Sequence, residues 1–440
     1  MSKPFPTPPS RLYAWYVLML LALVYVANMA DRQIVGILAE DIKRDLNLTD
    51  GQLGILTGPA IGFFYSVLGL PMAYAADRVN RVRFISICLA IWSVMTILGG
   101  RATSLVQLAA TRIGVSIAEA GSTPSSVSII ADYFPPRRRA TAMAIWTAGT
   151  ALGVFIGFAL GGTVNQSIGW RNTFVVAGAP GVVLALMLLL TVREPIRGSA
   201  DETPHDSSAG LKMSMTATFH HLWKITLFRQ AILAAAGCNF CVFGVLAWAG
   251  PFAVRSYGVG TAEAGTVIGI AIAVAGCTAM IVSGIITDRL GRRGLARPLI
   301  FVAVMVALSA ALFAAAFHAP DFNSFGLLFA LAYAALMANP PIGWVILQET
   351  SPPEMRAMAA AIMLFVYNIL SSVPAPLIIG YASDALQPGF GVRSLGMALT
   401  VIPIVGIISS LQFLRTAHTA RRLSATPEPA PAGDYVHATS

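Results

Sequence analysis

Twelve long apolar runs divide this 440-residue chain, and each is close to the roughly 20 residues that a membrane-spanning helix requires. A backbone in lipid has no water to bond, so each run is expected to form a helix, which satisfies its own N–H and C=O groups. The alternation that marks strands of a transmembrane barrel is not present in the runs. The predicted spans are residues 12–38, 50–75, 83–101, 104–131, 140–164, 172–192, 229–256, 262–286, 297–317, 324–348, 357–382 and 392–414.

The distribution of charge predicts how the chain lies in the membrane. Charged residues make up only 11% of the chain, and the formal net charge is +9. If the N-terminus is placed inside, the inner loops and termini hold 21 of the 29 Lys and Arg residues. This bias is the positive-inside pattern rather than a nucleic-acid-binding surface. We therefore expect a multi-pass protein of the bacterial inner membrane, with both termini cytoplasmic and no nucleic-acid partner.

A polar stretch that begins at Arg193 separates six spans from six. We therefore expect an all-α membrane fold, in which twelve transmembrane helices form two pseudo-symmetric six-helix bundles joined by a cytoplasmic linker. The C-terminal tail is rich in Pro and Ala and is expected to be disordered. The predicted regions are an N-terminal tail 1–11, a first bundle 12–192, a linker 193–228, a second bundle 229–414 and a disordered cytoplasmic tail 415–440.

Corresponding loops of the two halves share a residue pattern, which indicates an internal duplication. The loops after the fourth and tenth spans match in an acid, a Pro-Pro pair and an Arg-Ala pair at a constant offset of 217 residues. Duplicated halves are typical of transporters that rock about a central site. The charges of these loops, together with those of the loops after the second and eighth spans, are expected to form pairs that close the cytoplasmic side in one conformation. The predicted gate residues are Asp77, Arg78, Arg81, Asp132, Arg139, Asp288, Arg289, Arg292, Glu349 and Arg356.

The loop after the eighth span reads Gly284-x-x-x-Asp288-Arg289-x-Gly291-Arg292-Arg293. It resembles the loop signature of the major facilitator superfamily. The first-half copy departs from that pattern, because Ala73 and Asn80 replace its two glycines. We therefore expect the gate to be less tightly packed in the first half.

Four charged residues lie inside spans that are otherwise apolar: Asp31 and Arg32 in the first, Arg112 and Glu119 in the fourth. A charge at the membrane centre costs roughly 3 kcal/mol or more unless it faces water or a partner, and such residues are usually functional. Arg112 and Glu119 are two helical turns apart and share one helix face. The first and fourth spans run in opposite directions, which places Asp31 and Arg112 at a similar depth, where they can pair.

The same residues resemble the spinster family of the superfamily. The matching segments are Asp31-Arg32-Gln33 on the first span, and Arg112 to Gly121 and Ile129 to Phe134 on the fourth. This resemblance covers about residues 25 to 140, whereas the second half matches only the superfamily pattern. It implies transport of sphingosine-1-phosphate or lysophospholipids, with proton coupling proposed for some members.

These residues predict a proton-coupled secondary active transporter that works by alternating access, and not an enzyme. Arg112, together with Arg32, is expected to bind the anionic head of a lysophospholipid or a sphingosine-1-phosphate-like lipid. Asp31, the titratable partner of Arg112, and Glu119, at a separate step, are the candidates for proton coupling. Other polar and aromatic residues are expected to line the cavity. They are Tyr25, Asn28, Tyr65, Trp248, Asn339, Trp344, Tyr367 and Asn368.

Three alternatives remain open at this point: a drug or organic-anion/proton exporter, an uncoupled lipid scramblase, and a sensor that binds ligand without transport. The sequence has no Gly-x4-Gly-Lys-Ser/Thr loop, which disfavours ATP as the driving force. It also has no catalytic constellation. We expect no cofactor and no metal, with the bilayer, protons and an anionic amphiphile as partners of a monomer.

Overall fold

A computed structural model of the chain describes residues 10–76, 78–197, 215–351 and 356–425. Its membrane helices, numbered α1–α12 in chain order, form two bundles. The first bundle contains α1 (Arg11–Leu46), α2 (Asp50–Thr57 and Pro59–Ala76), α3 (Arg81–Gly99), α4 (Leu105–Glu119 and Ser122–Tyr133), α5 (136–168) and α6 (170–191). The second contains α7 (Thr226–Tyr257), α8 (Thr261–Ile270 and Cys277–Gly291, joined by a π-helical turn), α9 (Ala296–Ala316), α10 (Phe322–Leu336 and Pro340–Thr350), α11 (Arg356–Ser371 and Pro374–Phe390) and α12 (Ser394–Ala398 and Val401–Ala425).

The predicted twelve-helix fold is confirmed. Nine helical stretches within the described ranges are long and apolar enough to cross a membrane. Two of them, Pro136–Thr191 and Met358–Leu423, contain two crossings each. In the first, the chain reverses at Gly169, whose φ of 81° is accessible to glycine at little cost. α4 supplies the remaining crossing in two short segments of 15 and 12 residues, neither of which is long enough alone.

Two helical segments lie outside the predicted spans. The predicted linker contains the helix Met215–Lys224, called the linker helix below. α12 continues past the expected end of its span, and the segment 415–425, which was assigned to the disordered tail, is helical. The reason is that Phe413, Ala417 and Ala420 keep an apolar stripe buried at helical spacing. Asp77 and residues 198–214, 352–355 and 426–440 lie outside the described residues.

The two bundles meet along three helix pairs, α1 with α7, α2 with α11 and α5 with α8. The start of α1 and the end of α12 lie at one end of the molecule, called the termini end below, and the opposite end is called the distal end. The two bundles are closest at the distal end. A Cβ at Gly54 would lie 2.6 Å from the Pro376 carbonyl oxygen, and one at Gly265 would overlap the carbonyl oxygen of Phe158. At the distal end the two bundles therefore touch through backbone, which small residues permit.

Candidate functional site

A cavity of about 260 Å³ lies between the bundles and is lined by α1, α2, α7 and α11. Four of the residues predicted to line it do so: Tyr25 and Arg32 on α1, Tyr65 on α2 and Asn368 on α11. Of the charged residues that the structure describes, Arg32 alone lines this cavity. The sequence does not show whether Arg32 faces the cavity, and the structure shows that it does. The polar lining that sequence reasoning missed is Gln33, Thr57, Ser66 and Ser372.

The other residues predicted to line the cavity lie elsewhere in this conformation. Asn28 is buried behind the cavity wall at 1% exposure, and Trp248 is enclosed in the core. Asn339 is buried at the break of α10, whereas Trp344 is 46% exposed and is not among the residues that line the cavity. Tyr367 packs on a small apolar cluster that includes a residue of the linker helix. Their role in substrate binding therefore stays a prediction.

Asp31 and Arg112 form the expected pair, which links α1 to α4. Arg112 Nη1 donates to Asp31 Oδ2 at 3.2 Å, and Arg112 Nη2 to the Thr96 hydroxyl at 3.2 Å. The same hydroxyl donates to Asp31 Oδ1 at 3.0 Å, so α3 closes the triad. Arg112 is fully buried, with its guanidinium carbon 5.0 Å from the ring centre of Phe174. In this conformation Arg112 does not reach the cavity, and its predicted substrate contact would require a rearrangement.

Arg32 and Glu119 form a second pair, again between α1 and α4. Arg32 Nε donates to Glu119 Oε2 at 3.0 Å. The Arg32 side chain is 20% exposed, and its guanidinium carbon lies 4.0 Å from the ring centre of Tyr65, while the Glu119 side chain is fully buried. Glu119 had been expected to act apart from the other charges. The Arg32 side chain is long enough to reach Glu119, two helical turns from Arg112. The adjacent residues Asp31 and Arg32 of α1 therefore pair with both charged residues of α4.

Several buried polar atoms around these pairs make no hydrogen bond to any described residue. They are Arg32 Nη2, Glu119 Oε1, Arg112 Nε and both amide atoms of Asn28. A buried polar group without a partner costs about 1–3 kcal/mol, so native folds rarely keep several together outside a functional site. The cluster therefore retains both donors and acceptors beside the cavity.

Arg81 is the centre of an ion network at the termini end. Its Nη1 donates to Asp132 at 2.5 Å and to Ser128 at 2.6 Å, and its Nε donates to Glu194 at 2.7 Å. Arg81 itself is 1% exposed. All of these contacts lie within the first bundle or join it to the start of the linker. The first-half copy of the loop is thus well connected inside its own bundle, through a partner, Glu194, that the repeat does not predict. These contacts do not cross between the bundles, so the expectation of looser packing at the gate stays a prediction.

The second-half gate loops have a different environment. Asp288, Arg289, Arg292 and Glu349 are exposed, and their side chains make no hydrogen bond to a described residue. Of Arg356, only the backbone is described.

The remaining first-half gate residues make local contacts. Arg78 lies over the Tyr74 ring at 3.6 Å, and Arg139 donates to the Ala131 carbonyl at 2.8 Å. The gating role of both sets stays a prediction.

The distal end carries an ion network that joins the two bundles and that sequence reasoning missed. Arg255 on α7 donates to both oxygens of Asp50, at 2.8 and 2.9 Å, and to Glu40 at 2.5 Å. Lys43 adds a bond to Asp50 at 2.6 Å. The Asp50 side chain is 3% exposed. A carboxylate with two cationic partners at a helix start is well stabilised, so this network holds α1, α2 and α7 together.

A second acid completes this network from the other side. Asp384 on α11 accepts the backbone N–H groups of Asp50 and Gly51 at 2.9 and 2.7 Å, which caps the start of α2 across the bundle interface. Ser383 donates to Asp50 Oδ2 at 2.6 Å. Every hydrogen bond between the bundles for which both residues are described lies at this end. The distal end is therefore closed in this conformation.

Comparison with known proteins places this architecture in a family. Residues 21–376 match the model of the major facilitator superfamily. An MFS-type efflux pump of Mycolicibacterium smegmatis is 34% identical over 88% of this chain and 89% of its own length. A probable galactarate/D-glucarate transporter of Bacillus subtilis is 26% identical over 84% and 86%. The sphingosine-1-phosphate transporter of Danio rerio is 27% identical over 90% and 83%.

A solved structure matches the whole fold. It is a bacterial homologue of the human lysosomal transporter Spinster, in an inward-facing and unoccupied conformation. The TM-score is 0.87 and the identity 28%, over 96% of this chain and 100% of the other. The same family is indicated by the charge pairs between α1 and α4, by the two bundles and by these relatives. The chain belongs to the major facilitator superfamily of transporters, and its fold is similar to that of the bacterial spinster homologue.

Proposed function

We propose that this protein moves an anionic amphiphile, of the lysophospholipid or sphingosine-1-phosphate type, across the bacterial inner membrane in exchange for or together with protons. The observation that carries the proposal is Arg32, a cationic side chain that lines the cavity, is paired with an acid and retains an unbonded Nη2. A guanidinium binds phosphate and carboxylate in a bidentate manner, so Arg32 suits an anionic head group.

Proton coupling follows from competition for Arg32. Ionised Glu119 occupies the guanidinium of Arg32, and protonation of Glu119 removes that competitor. An anionic head group then gains the Arg32 contact, since a neutral carboxyl binds a cation far less strongly than a carboxylate. Binding of substrate and of a proton at this pair are thereby linked, and this linkage is what a coupled transporter requires.

The Asp31–Arg112–Thr96 triad lies one layer behind this pair. Protonation of Asp31 would release the Arg112 guanidinium, which is held by Asp31 and Thr96. Arg112 would then be able to turn toward the cavity or toward Glu119. In this mechanism Asp31 and Arg112 set how strongly Arg32 and Glu119 bind each other. Arg112 contacts the substrate only in a conformation in which the triad is open.

Alternating access requires the closed end to open and the other end to close. With both termini in the cytoplasm, the closed distal end faces outward and this conformation is inward-facing. The network of Asp50, Arg255 and Asp384 then seals the outer side. The gate loops of the termini end would close after rocking, when the exposed charges Asp288 and Arg292 approach the first bundle.

A second candidate substrate is a small sugar acid. The cavity of about 260 Å³ is slightly smaller than the usual range of about 300–1,000 Å³ for ligand sites, so it fits a head group or a compact dianion better than an entire lipid. The relative named as a probable galactarate/D-glucarate transporter favours a sugar acid as well. A lysolipid would place its head beside Arg32 and its chain along the apolar surface toward the termini end.

Flux into proteoliposomes under an imposed pH gradient tests the proposal, with lysophosphatidic acid, sphingosine-1-phosphate and D-glucarate as probes. The pH gradient is expected to drive uptake in the unmodified protein. Glu119→Gln should abolish the response to the gradient while exchange at equal pH persists, because glutamine mimics the protonated state. Arg32→Gln should abolish saturable uptake, with Arg32→Lys intermediate.

Arg44→Gln is the matched control, because Arg44 is an exposed base on the same helix with a half-buried partner, Asp41. Full gradient dependence in Glu119→Gln would remove Glu119 from coupling, and the same result in Asp31→Asn would remove Asp31. Lipid movement without any gradient that survives both substitutions would identify a scramblase. Uptake of D-glucarate alone would establish the sugar-acid alternative.

A further inference from the structure

A second cavity, separate from the central one, lies at the termini end between α7 and α12. Its volume is about 510 Å³. It includes the part of α12 that continues past the predicted membrane boundary. Its lining residues are Gln230, Leu411, Leu414, Arg415, His418 and Thr419.

The lining changes from apolar to basic along the helix axis. Leu411 and Leu414 are 54% and 41% exposed on the outer surface, as residues in contact with acyl chains are. Arg415 and His418 follow one turn later and are also exposed. From Leu411 to His418 the helix rises about 10 Å, which is comparable to the depth from the acyl region to the head groups.

The polar end of the cavity has donors and no competing acid. Arg415 makes no ion pair with a described residue, and no acid is among the described residues that line the cavity. The Thr419 hydroxyl lies 2.9 Å from Gln230 Oε1, which joins α12 to α7 and leaves the Gln230 amide N–H groups available. Guanidinium, imidazole and amide N–H groups are together complementary to a phosphate.

We propose that this cavity binds the head group of an anionic phospholipid from the leaflet at the termini end. Basic clefts between membrane helices at this depth attract anionic head groups through charge and direct hydrogen bonds. The exposed leucines favour a lipid over a soluble phosphate, since an acyl chain covers Leu411 and Leu414 while the phosphate reaches Arg415. This site is independent of the transported substrate and of proton coupling.

Binding of defined lipids to the purified full-length protein tests the site. Native mass spectrometry is used to compare phosphatidylglycerol with phosphatidylcholine, with glycerol 3-phosphate as the soluble probe. The unmodified protein is expected to prefer phosphatidylglycerol, and Arg415→Gln/His418→Gln to lose about fivefold or more in affinity for it. Arg289→Gln/Arg292→Gln is the matched control, because it removes two exposed bases at the same end and is expected to change the affinity by less than about twofold.

Three outcomes would overturn the proposal. They are unchanged lipid preference in Arg415→Gln/His418→Gln, an equal loss in the control pair, and glycerol 3-phosphate competing as well as the lipid does. Because Arg415 is exposed, the single variants Arg415→Gln and Arg415→Lys provide a second comparison if the double variant does not fold. Lysine should retain the preference for the anionic lipid, and glutamine should weaken it.

Discussion

The two ends of the molecule use buried ion networks in opposite ways. At the distal end, Asp50 of the first bundle binds Arg255 of the second, so the network crosses the interface. At the termini end, Arg81 binds Asp132 and Glu194 inside one bundle and its linker. A transporter that rocks must break contacts between its halves and keep those within each half. We therefore expect the distal network to control conformation and the Arg81 network to hold one bundle rigid.

Contacts within a bundle and contacts between the bundles also affect different properties, the stability of the fold and the equilibrium between conformations. Removing one partner of a contact within a bundle destabilises every conformation equally. Removing one partner of a contact across the interface destabilises only the conformation that has it, so the equilibrium shifts toward the other. Substitutions at the two ends should consequently differ in kind as well as in size.

The largest effect is expected for Arg81→Gln, which removes the buried cation shared by Asp132 and Glu194, whose side chains are only 10% and 18% exposed. The expected loss in unfolding free energy is about 3–5 kcal/mol, the usual range for breaking a buried pair. Thermal unfolding in detergent measures it. Arg292→Gln, the exposed counterpart in the second half, should change stability by less than about 0.5 kcal/mol. Equal losses in the two variants would show that the halves are built alike at this end.

A smaller effect, on conformation, is expected for Asp50→Asn. Arg255 keeps Glu40 as a partner, so the distal-closed state should lose about 1.5–3 kcal/mol, the range for a charge-assisted hydrogen bond. Labelling of Thr57→Cys by an impermeant thiol reagent from the distal side should rise, because Thr57 lines the central cavity. Unchanged labelling together with lowered thermal stability would contradict a locking role.

The smallest effect is expected for Gly265→Ala, which acts on the same seal through packing. The added methyl group would overlap the Phe158 carbonyl oxygen in the other bundle, and overpacking costs about 1–3 kcal/mol. Labelling of Thr57→Cys from the distal side should again increase. Gly343→Ala is the control, since nothing lies within 4 Å of its added Cβ. If the control opens the distal side as much, close backbone contact is not what holds the seal.

The number of spans, the duplication and the Asp31–Arg112 pair were all predictable from the sequence, because each depends on local pattern or simple helix periodicity. Three features were not. The Arg32–Glu119 pair depends on the reach of one long side chain, and Thr96 is an ordinary threonine in an apolar span. Arg255 and Asp50 are 205 residues apart and carry no shared motif.

Hydropathy and charge patterning are properties of each helix alone, so they were enough to predict a twelve-helix membrane transporter with charges in α1 and α4. The packing of the helices was needed to show that Arg32 lines the cavity while Arg112 is buried away from it, and that the distal end is closed. These outcomes depend on how the helices rotate and pack against each other across the two bundles, and no local pattern encodes that arrangement.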